Sequence, residues 1–327
     1  MPIAIGVDVG GTKVLAVAVD PTRPTEILAE RRVPTPVGDA TKILEAIGGA
    51  ARVVSDDLVA IGRAPEVVGI GIPGLVDTDG RLRAAPNLSG LVGVEIPPRL
   101  RELVPYPVVV DNDANCALWA EVCVGAGLGA RDAVLVTLGT GIGGALVNDA
   151  VLRHGVHGFA GEPGHMVVDP SGPACPCGRK GCWERYASGS GLGMLARRAA
   201  EGGRVPAVLE LAGGDVSAVD GEHLIAAARA GHPGAGAVLD EFAWWLALGI
   251  ANLVNVLDPE LILIGGGLAD ESDLFLPRTR EELGRMALGA SARTGTRVEV
   301  ATLGSRAGAI GAALLATRVA QRGSTPG

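Results

Sequence analysis

Apolar residues fall in short runs broken by glycine, and the period of the runs changes along the chain. Residues 3–20, IAIGVDVGGTKVLAVAVD, are two β-rich runs joined by a glycine turn, the pattern of paired strands. A third strand is expected over residues 25–32, and apolar positions at helical spacing predict a helix over 39–60. VVGIGIPG (67–74) and PVVVDND (107–113) have the length of buried strands, and a helix is expected after the second, over 114–124. Strands alternating with helices describe an α/β chain.

The pattern then begins again. AVLVTLGTGIGGALVND (133–149) repeats strand, glycine turn, strand and acidic stop. Aligning Gly10 with Gly139 also aligns Asp20 with Asp149, at a separation of 129 residues. A duplicated α/β domain leaves such a trace. Further on, the sequence predicts a Cys-rich loop over 172–181, a helix over 191–200 and a mobile polar stretch over 201–221. Helices are expected over 222–230 and 237–256, a buried strand with a glycine turn over 260–269, a last strand over 297–304 and a last helix over 307–319. The tail, 321–327, reads as disordered.

A chain of 327 residues is too long for one small core, so two domains are expected. The smaller covers residues 1–121 together with a C-terminal helix at about 307–327, and the larger covers 122–306. The net charge of −8 argues against a nucleic-acid partner, which needs a basic face. Met1 and Pro2 lead directly into apolar alternation, without the basic start or cleavage site of a secretory signal. The longest apolar stretch, 242–257, is interrupted by Asn252 and Asn255 and reads as a buried helix, so no membrane partner is expected. A cytoplasmic location follows. Three of the five cysteines lie within eight residues, which in a cytosolic chain points to a metal rather than a disulfide.

Three glycine turns follow apolar strands: DVGGTK (8–13), GTGIGG (139–144) and GGG (265–267). Glycine lets backbone N–H groups approach an anion closely, and Thr12, Thr140 and Lys13 add donors. One such turn alone is more readily a tight hairpin, but three together point to a nucleotide. Gly139, Gly141 and Gly144 also fit the dinucleotide fingerprint GxGxxG, which requires a helix next. ALVND follows instead and reads as a strand, so the dehydrogenase reading fails on context.

DNDAN (111–115) ends a buried strand, where open α/β sheets place ligand groups. Asp113 there is either a base for a substrate hydroxyl or only the cap of the next helix. The most specific segment is GHMVVDPSGPACPCGRKGCWE (164–184). Its His165, Cys175, Cys177 and Cys182 form a Cys₃His set suited to structural zinc. Glu162 and Glu184 flank these ligands, and each is either a solvated surface group or an acceptor for adjacent sugar hydroxyls. A metal-bound His keeps a second ring nitrogen for another partner. Cys116 and Cys123, seven apart on one helix face, read as core.

Taken in order, these segments resemble the ROK family of repressors and sugar kinases over essentially the whole chain. The resemblance implies a two-domain ribonuclease H-like fold of the actin/hexokinase ATPase type, with a cleft between domains. It implies Asp113 as general base on a sugar 6-hydroxyl, and Asn112, Glu162, His165 and Glu184 as partners of the other hydroxyls. Gly10, Gly11, Thr12, Lys13, Thr140, Gly141 and Gly266 would line an ATP site. His165, Cys175, Cys177 and Cys182 would hold structural Zn²⁺, and Mg²⁺ would come with the nucleotide, near Asp8. A homodimer or homotetramer is expected. The run CWERYASG (182–189) is similar to the glucose-specific members. Members acting on N-acetylglucosamine, N-acetylmannosamine or another hexose share much of the pattern. The family's repressors carry an added N-terminal helix-turn-helix, for which there is no room before Ile3, and often lose the Asp retained here. A non-enzymatic sugar-responsive regulator is thus the alternative of a different class.

Overall fold

The structure, a computed structural model, describes residues 3–293 and 296–323. The first half runs β1 (Ile3–Val9), β2 (Lys13–Val19), β3 (Ile27–Pro34), α1 (Ala40–Ala60), β4 (Pro65–Ile72), β5 (Leu75–Val76), β6 (Leu82–Ala84), α2 (Ile96–Arg101), β7 (Val108–Asn112) and α3 (Asp113–Val124). The second continues with β8 (Ala133–Leu138), β9 (Ile142–Asn148), β10 (Val151–Leu152), α4 (Glu184–Ala187), α5 (Gly189–Glu201), α6 (Pro206–Leu211), α7 (Gly221–Arg229), α8 (Pro233–Leu257), β11 (Leu261–Gly265), α9 (Leu276–Met286), β12 (Arg297–Val300) and α10 (Ala307–Gly323). Contacts divide the chain into two compact units. One comprises Met1–Arg131, Ala145–Gly161 and Thr302–Gly327, the other Asp132–Gly144 and Glu162–Ala301, so the division falls within β9.

In the first unit the sheet order is β3-β2-β1-β4-β7. β1 pairs antiparallel with β2 and parallel with β4, which pairs parallel with β7. Side chains alternate across a strand, and β1 shows what that does. Ile3, Ile5, Val7 and Val9 join the core that includes Ile43, Leu44, Ile47, Val54 and Leu58 of α1. Those α1 residues recur at helical spacing, and Asp39 caps the helix by accepting from Thr41 N and Lys42 N. Ala4 turns the other way, into the cluster built on Ala309, Ile310, Ala313 and Ala316 of α10. Gly6 and Asp8 share that face. A Cβ on Gly6 would stand 1.8 Å from Ala309 O, and one on Gly69 of β4 would stand 1.9 Å from Ala312 O. α10 therefore rests on bare backbone, and Asp8 is packed beside Gly308 at its start.

The second sheet, β10-β9-β8-β11-β12, has the same order as the first, counted along the chain. β11 is buried at every position and pairs parallel with β8 and β12. A parallel strand covered on both faces reads as one continuous apolar run. The sequence repeat at 129 residues thus corresponds to two sheets of matching order. α8 is long and apolar enough to cross a membrane by length and composition, but 61% of its most apolar stretch is buried in the protein. It packs against α9, α4, α5 and α7.

Several expectations need correction. Residues 201–221 carry regular structure that the sequence did not predict: they hold α6 and the 3-10 turn Val216–Ala218, and Val205, Val208 and Val219 are buried. α2, α9 and the short β10 were not anticipated. The tail expected to be disordered begins inside α10, which runs to Gly323, and residues 324–327 lie outside the described residues. Of the two cysteines read as core, Cys116 is buried and Cys123 only partly so.

Candidate active site

In the first unit two loops carry the candidate chemistry. The turn from β1 to β2 is closed by Gly10 N donating to Lys13 O at 2.8 Å. Thr35 braces it, its hydroxyl donating to Gly10 O at 2.7 Å and its N–H to Thr12 O at 3.0 Å. The tip, Gly11, Thr12 and Lys13, is exposed on this fixed support.

The second loop is the corner from β7 to α3. Here Asn112, not Asp113, is the helix cap: its Oδ1 accepts from Ala114 N at 2.9 Å and Asn115 N at 3.1 Å. Its amide donates to Gly74 O at 3.1 Å. Asp113 is the first residue of α3 and is relieved of capping. Its carboxylate accepts from Ala114 N at 2.9 Å and is also hydrogen-bonded by the Asn112 side chain. Burial raises the Asp113 pKa, against hydrogen bonds that favour the charge. Asp8, at the end of β1, is raised to about 7, first by burial and then by the Asp113 charge, with Lys13 opposing. Two carboxylates with raised pKa values therefore share this end of the sheet.

Glu121, near the end of α3, is fully buried and ties that end of the helix to residues 302–303. It accepts from Thr302 N and Leu303 N, both at 2.8 Å, and from Ala126 N at 2.8 Å.

In the second unit the turn after β8 is held by the start of α5: Gly189 N donates to Gly139 O at 2.7 Å, and Ser190 N to Thr140 O at 3.4 Å. β9 follows the turn, so the dinucleotide fingerprint lacks its helix in the structure as well. Gly266 has φ +84°, and a Cβ there would stand 2.6 Å from Leu138 N, so only glycine fits. Beside these turns lies a cavity of about 910 Å³, within the usual range for small-molecule sites. Thr140 lines it, and so do Arg197 of α5, Glu222 and Ile225 of α7, and Leu268. Gly141 and Gly266 adjoin this lining without forming part of it. Arg197, Glu222 and Ile225 belong to no motif and were not anticipated, whereas Leu268 directly follows the third glycine turn.

The metal-ligand set comes together as expected. Donor atoms of His165, Cys175, Cys177 and Cys182 all lie within 4.8 Å of one another. Cys177 Sγ is 3.5 Å from Cys182 Sγ, and Cys175 Sγ is 3.9 Å from His165 Nδ1. Zn–S and Zn–N bonds of about 2.3 and 2.0 Å place tetrahedral ligands roughly 3.5–3.8 Å apart, so the set fits zinc. The 175–182 turn is tied by Cys175 N to Arg179 O at 2.8 Å, with Gly178 at φ +88°. Cys177 is exposed, and burial opposes its charge; hydrogen bonds from the Arg179 backbone and from Cys175 outweigh that and hold the thiol below its usual value.

Glu184 lies against this set, its Oε1 accepting from Cys175 Sγ at 3.0 Å and standing 3.8 Å from His165 Nδ1. Between Cys182 and Glu184, Trp183 is fully buried and donates Nε1–H to Trp245 O at 2.8 Å. Glu162 precedes the short 3-10 turn Pro163–His165 and accepts from His165 N through its backbone oxygen at 3.2 Å.

Two sheets of matching order, glycine turns after their strands and a packed Cys₃His set define an actin/hexokinase-like ATPase fold. The chain belongs to the ROK family, whose profile it matches over residues 4–319. It is 39% identical to a glucokinase of Streptomyces coelicolor over 97% of this chain and 98% of the relative. It is 34% identical to an N-acetylmannosamine kinase of Citrobacter koseri, over 81% of this chain and 84% of the relative. Among solved structures it resembles a ROK family glucokinase from Streptomyces griseus in complex with glucose and AMPPNP. The TM-score is 0.82 and the identity 39%, covering 97% of this chain and 99% of that one.

Proposed function

We propose that the protein is an ATP-dependent glucokinase that makes glucose 6-phosphate and ADP. The observation that carries this reading is Asp113: half-buried at the start of α3, freed from capping by Asn112, and raised in pKa by desolvation. Similarity to glucokinases over nearly the whole chain supports it. In the reaction the glucose 6-oxygen attacks the γ-phosphorus, its proton passes to Asp113, and the bond from phosphorus to the β–γ bridging oxygen breaks to release ADP. A loose phosphoryl transition state demands mostly positioning and charge stabilisation from the protein.

Asn112, Glu162, His165 and Glu184 hold the remaining sugar hydroxyls. Gly10, Gly11, Thr12 and Lys13, with Thr140, Gly141 and Gly266, serve the nucleotide, and the cavity beside Thr140 takes its base. Mg²⁺ arrives with ATP and supplies charge neutralisation at the phosphates. Zn²⁺ bound by His165, Cys175, Cys177 and Cys182 supplies rigidity to the 162–184 segment. As a zinc thiolate Cys175 would offer Glu184 no proton, which would leave Glu184 Oε1 to accept from a sugar hydroxyl. We place the enzyme in the cytoplasm at the head of glucose breakdown, as a homodimer or homotetramer.

A second reading, phosphorylation of an N-acetylated hexose, is favoured by the similarity to N-acetylmannosamine kinase. The deciding experiment is ADP release with Mg-ATP across glucose, N-acetylglucosamine, N-acetylmannosamine, mannose, fructose and allose. Highest kcat/KM on glucose is expected. Preference for an acetylated sugar moves the assignment to the second reading. Sugar binding without turnover in zinc-replete protein leaves a non-enzymatic sensor.

A further inference from the structure

Asp111, two residues before the proposed base, is held by three donors. Its Oδ1 accepts from Asn112 N at 2.7 Å and from Asn115 Nδ2 at 2.8 Å. Its Oδ2 accepts from His154 Nε2 at 2.7 Å. The first two donors belong to the corner itself; His154 reaches it from 43 residues away in sequence. His154 is anchored in turn. Ala160 N donates to His154 O at 3.0 Å, closing the loop between them. That loop presses on β5, since a Cβ on Gly158 would stand 2.4 Å from Val76 O.

We propose that His154 is a positioning residue for Asp113, acting through the Asp111 carboxylate that fixes the corner between β7 and α3. This rests on the kinase reading of Asp113. Asp111 orients the Asn112 peptide; Asn112 caps α3; the cap sets where the first residue of the helix, Asp113, projects. Without the His154 donor, Oδ2 of Asp111 is released and the carboxylate turns about its remaining bonds. The Asp111 hydrogen bond also raises the His154 pKa, against the opposing effect of burial, as expected of an imidazole facing a carboxylate. The His154 side chain is 41% exposed, so its removal opens no core cavity.

The test is steady-state kinetics of the full chain with glucose and Mg-ATP for wild type, His154→Phe, His154→Gln, Asp111→Asn and Asp113→Asn. Phe keeps the ring and removes the donor; Gln restores an N–H of similar reach. Displacement of a reacting group by about 1 Å costs up to a hundredfold. We expect His154→Phe to lower kcat about tenfold, with KM for ATP and the melting temperature little changed. His154→Gln should recover most of that loss. Asp111→Asn keeps an oxygen for Asn112 N and Asn115 Nδ2 and an amide that can donate to neutral His154 Nε2, so it should lower kcat less than His154→Phe. Wild-type kcat in His154→Phe overturns the inference, and so does an equal loss in Phe and Gln variants. Either of those results leaves Asp113 as the base. Full activity in Asp113→Asn overturns the base role of Asp113 and this inference with it, while no turnover by wild type on any hexose overturns the kinase reading itself.

Discussion

Gly141 and Glu184 meet at the edge of the second glycine turn: a Cβ on Gly141 would stand 2.6 Å from Glu184 Oε2, and its only other neighbour within 4 Å is the Glu184 Cδ at 3.7 Å. The missing side chain is what leaves that carboxylate its place. Because the obstacle is the end of a flexible side chain, Gly141→Ala should cost little stability while displacing Glu184. A hydrogen bond to a charged group contributes roughly 1.5–3 kcal/mol, so KM for the sugar should rise about tenfold to hundredfold. Kinetics paired with a thermal melt separates the effects. An unchanged sugar KM would remove Glu184 from the sugar site.

Gly249 is the contrasting case. A Cβ there would stand 1.9 Å from Cε2 of Trp183, a fully buried ring that cannot swing aside. Gly249→Ala should therefore overpack α8 at a cost of about 1–3 kcal/mol, a fall in melting temperature of roughly 3–10 °C. Trp183 joins Cys182 to Glu184 along the chain, so bound zinc and sugar affinity should fall together. Elemental analysis checks this against Cys177→Ser, which should lose the roughly one zinc per chain that a single Cys₃His set holds. A Gly249→Ala protein with wild-type melting would show that the ring has room to move.

The features readable from sequence were those in which residue type and spacing impose the geometry. β11 is buried at every position, so its apolar run is continuous; the Cys₃His set must close on itself for its spacing to make sense. Other features depend on partners distant in sequence. α9 and α2 carry few buried residues, and Pro206 begins α6 in a stretch whose glycines and charges hide Val205 and Val208. Arg197 and Glu222 reach one cavity from different helices, and neither belongs to a motif. Asn112 illustrates a subtler gap: DNDAN offers four residues of capping type, and only the bonds from Ala114 N and Asn115 N show that Asn112 is the cap.

Asp113→Asn removes the proton acceptor but keeps the shape and the bond from Ala114 N. General-base catalysis contributes typically 10²–10⁴-fold. We expect kcat to fall by about that factor, with glucose binding by calorimetry within a few fold of wild type. Zinc content should not change, because Asp113 is not among the Cys₃His ligands. A modest fall, under about fivefold, would mean that positioning alone drives the transfer and that the base is dispensable.

Asp8 makes a prediction about stability rather than rate. Its folded pKa of about 7 lies well above the value of about 3.9 expected in the unfolded chain. Between those two values the folded state binds a proton that the unfolded state releases, so folding is progressively weakened as pH rises from about 4 to about 7. Above that window the loss is complete and constant. Asp8→Asn abolishes this titration while keeping the size of the side chain. The variant should melt near wild type at pH 4.5 and above it at pH 8, by an amount on the order of 2–4 kcal/mol at most. Asp113 remains in both proteins, so its own titration largely cancels in the comparison. Chemical denaturation at the two pH values measures the difference directly. A variant less stable than wild type at pH 8 would mean that the Asp8 carboxylate is held by favourable contacts, with Lys13 outweighing both burial and the Asp113 charge.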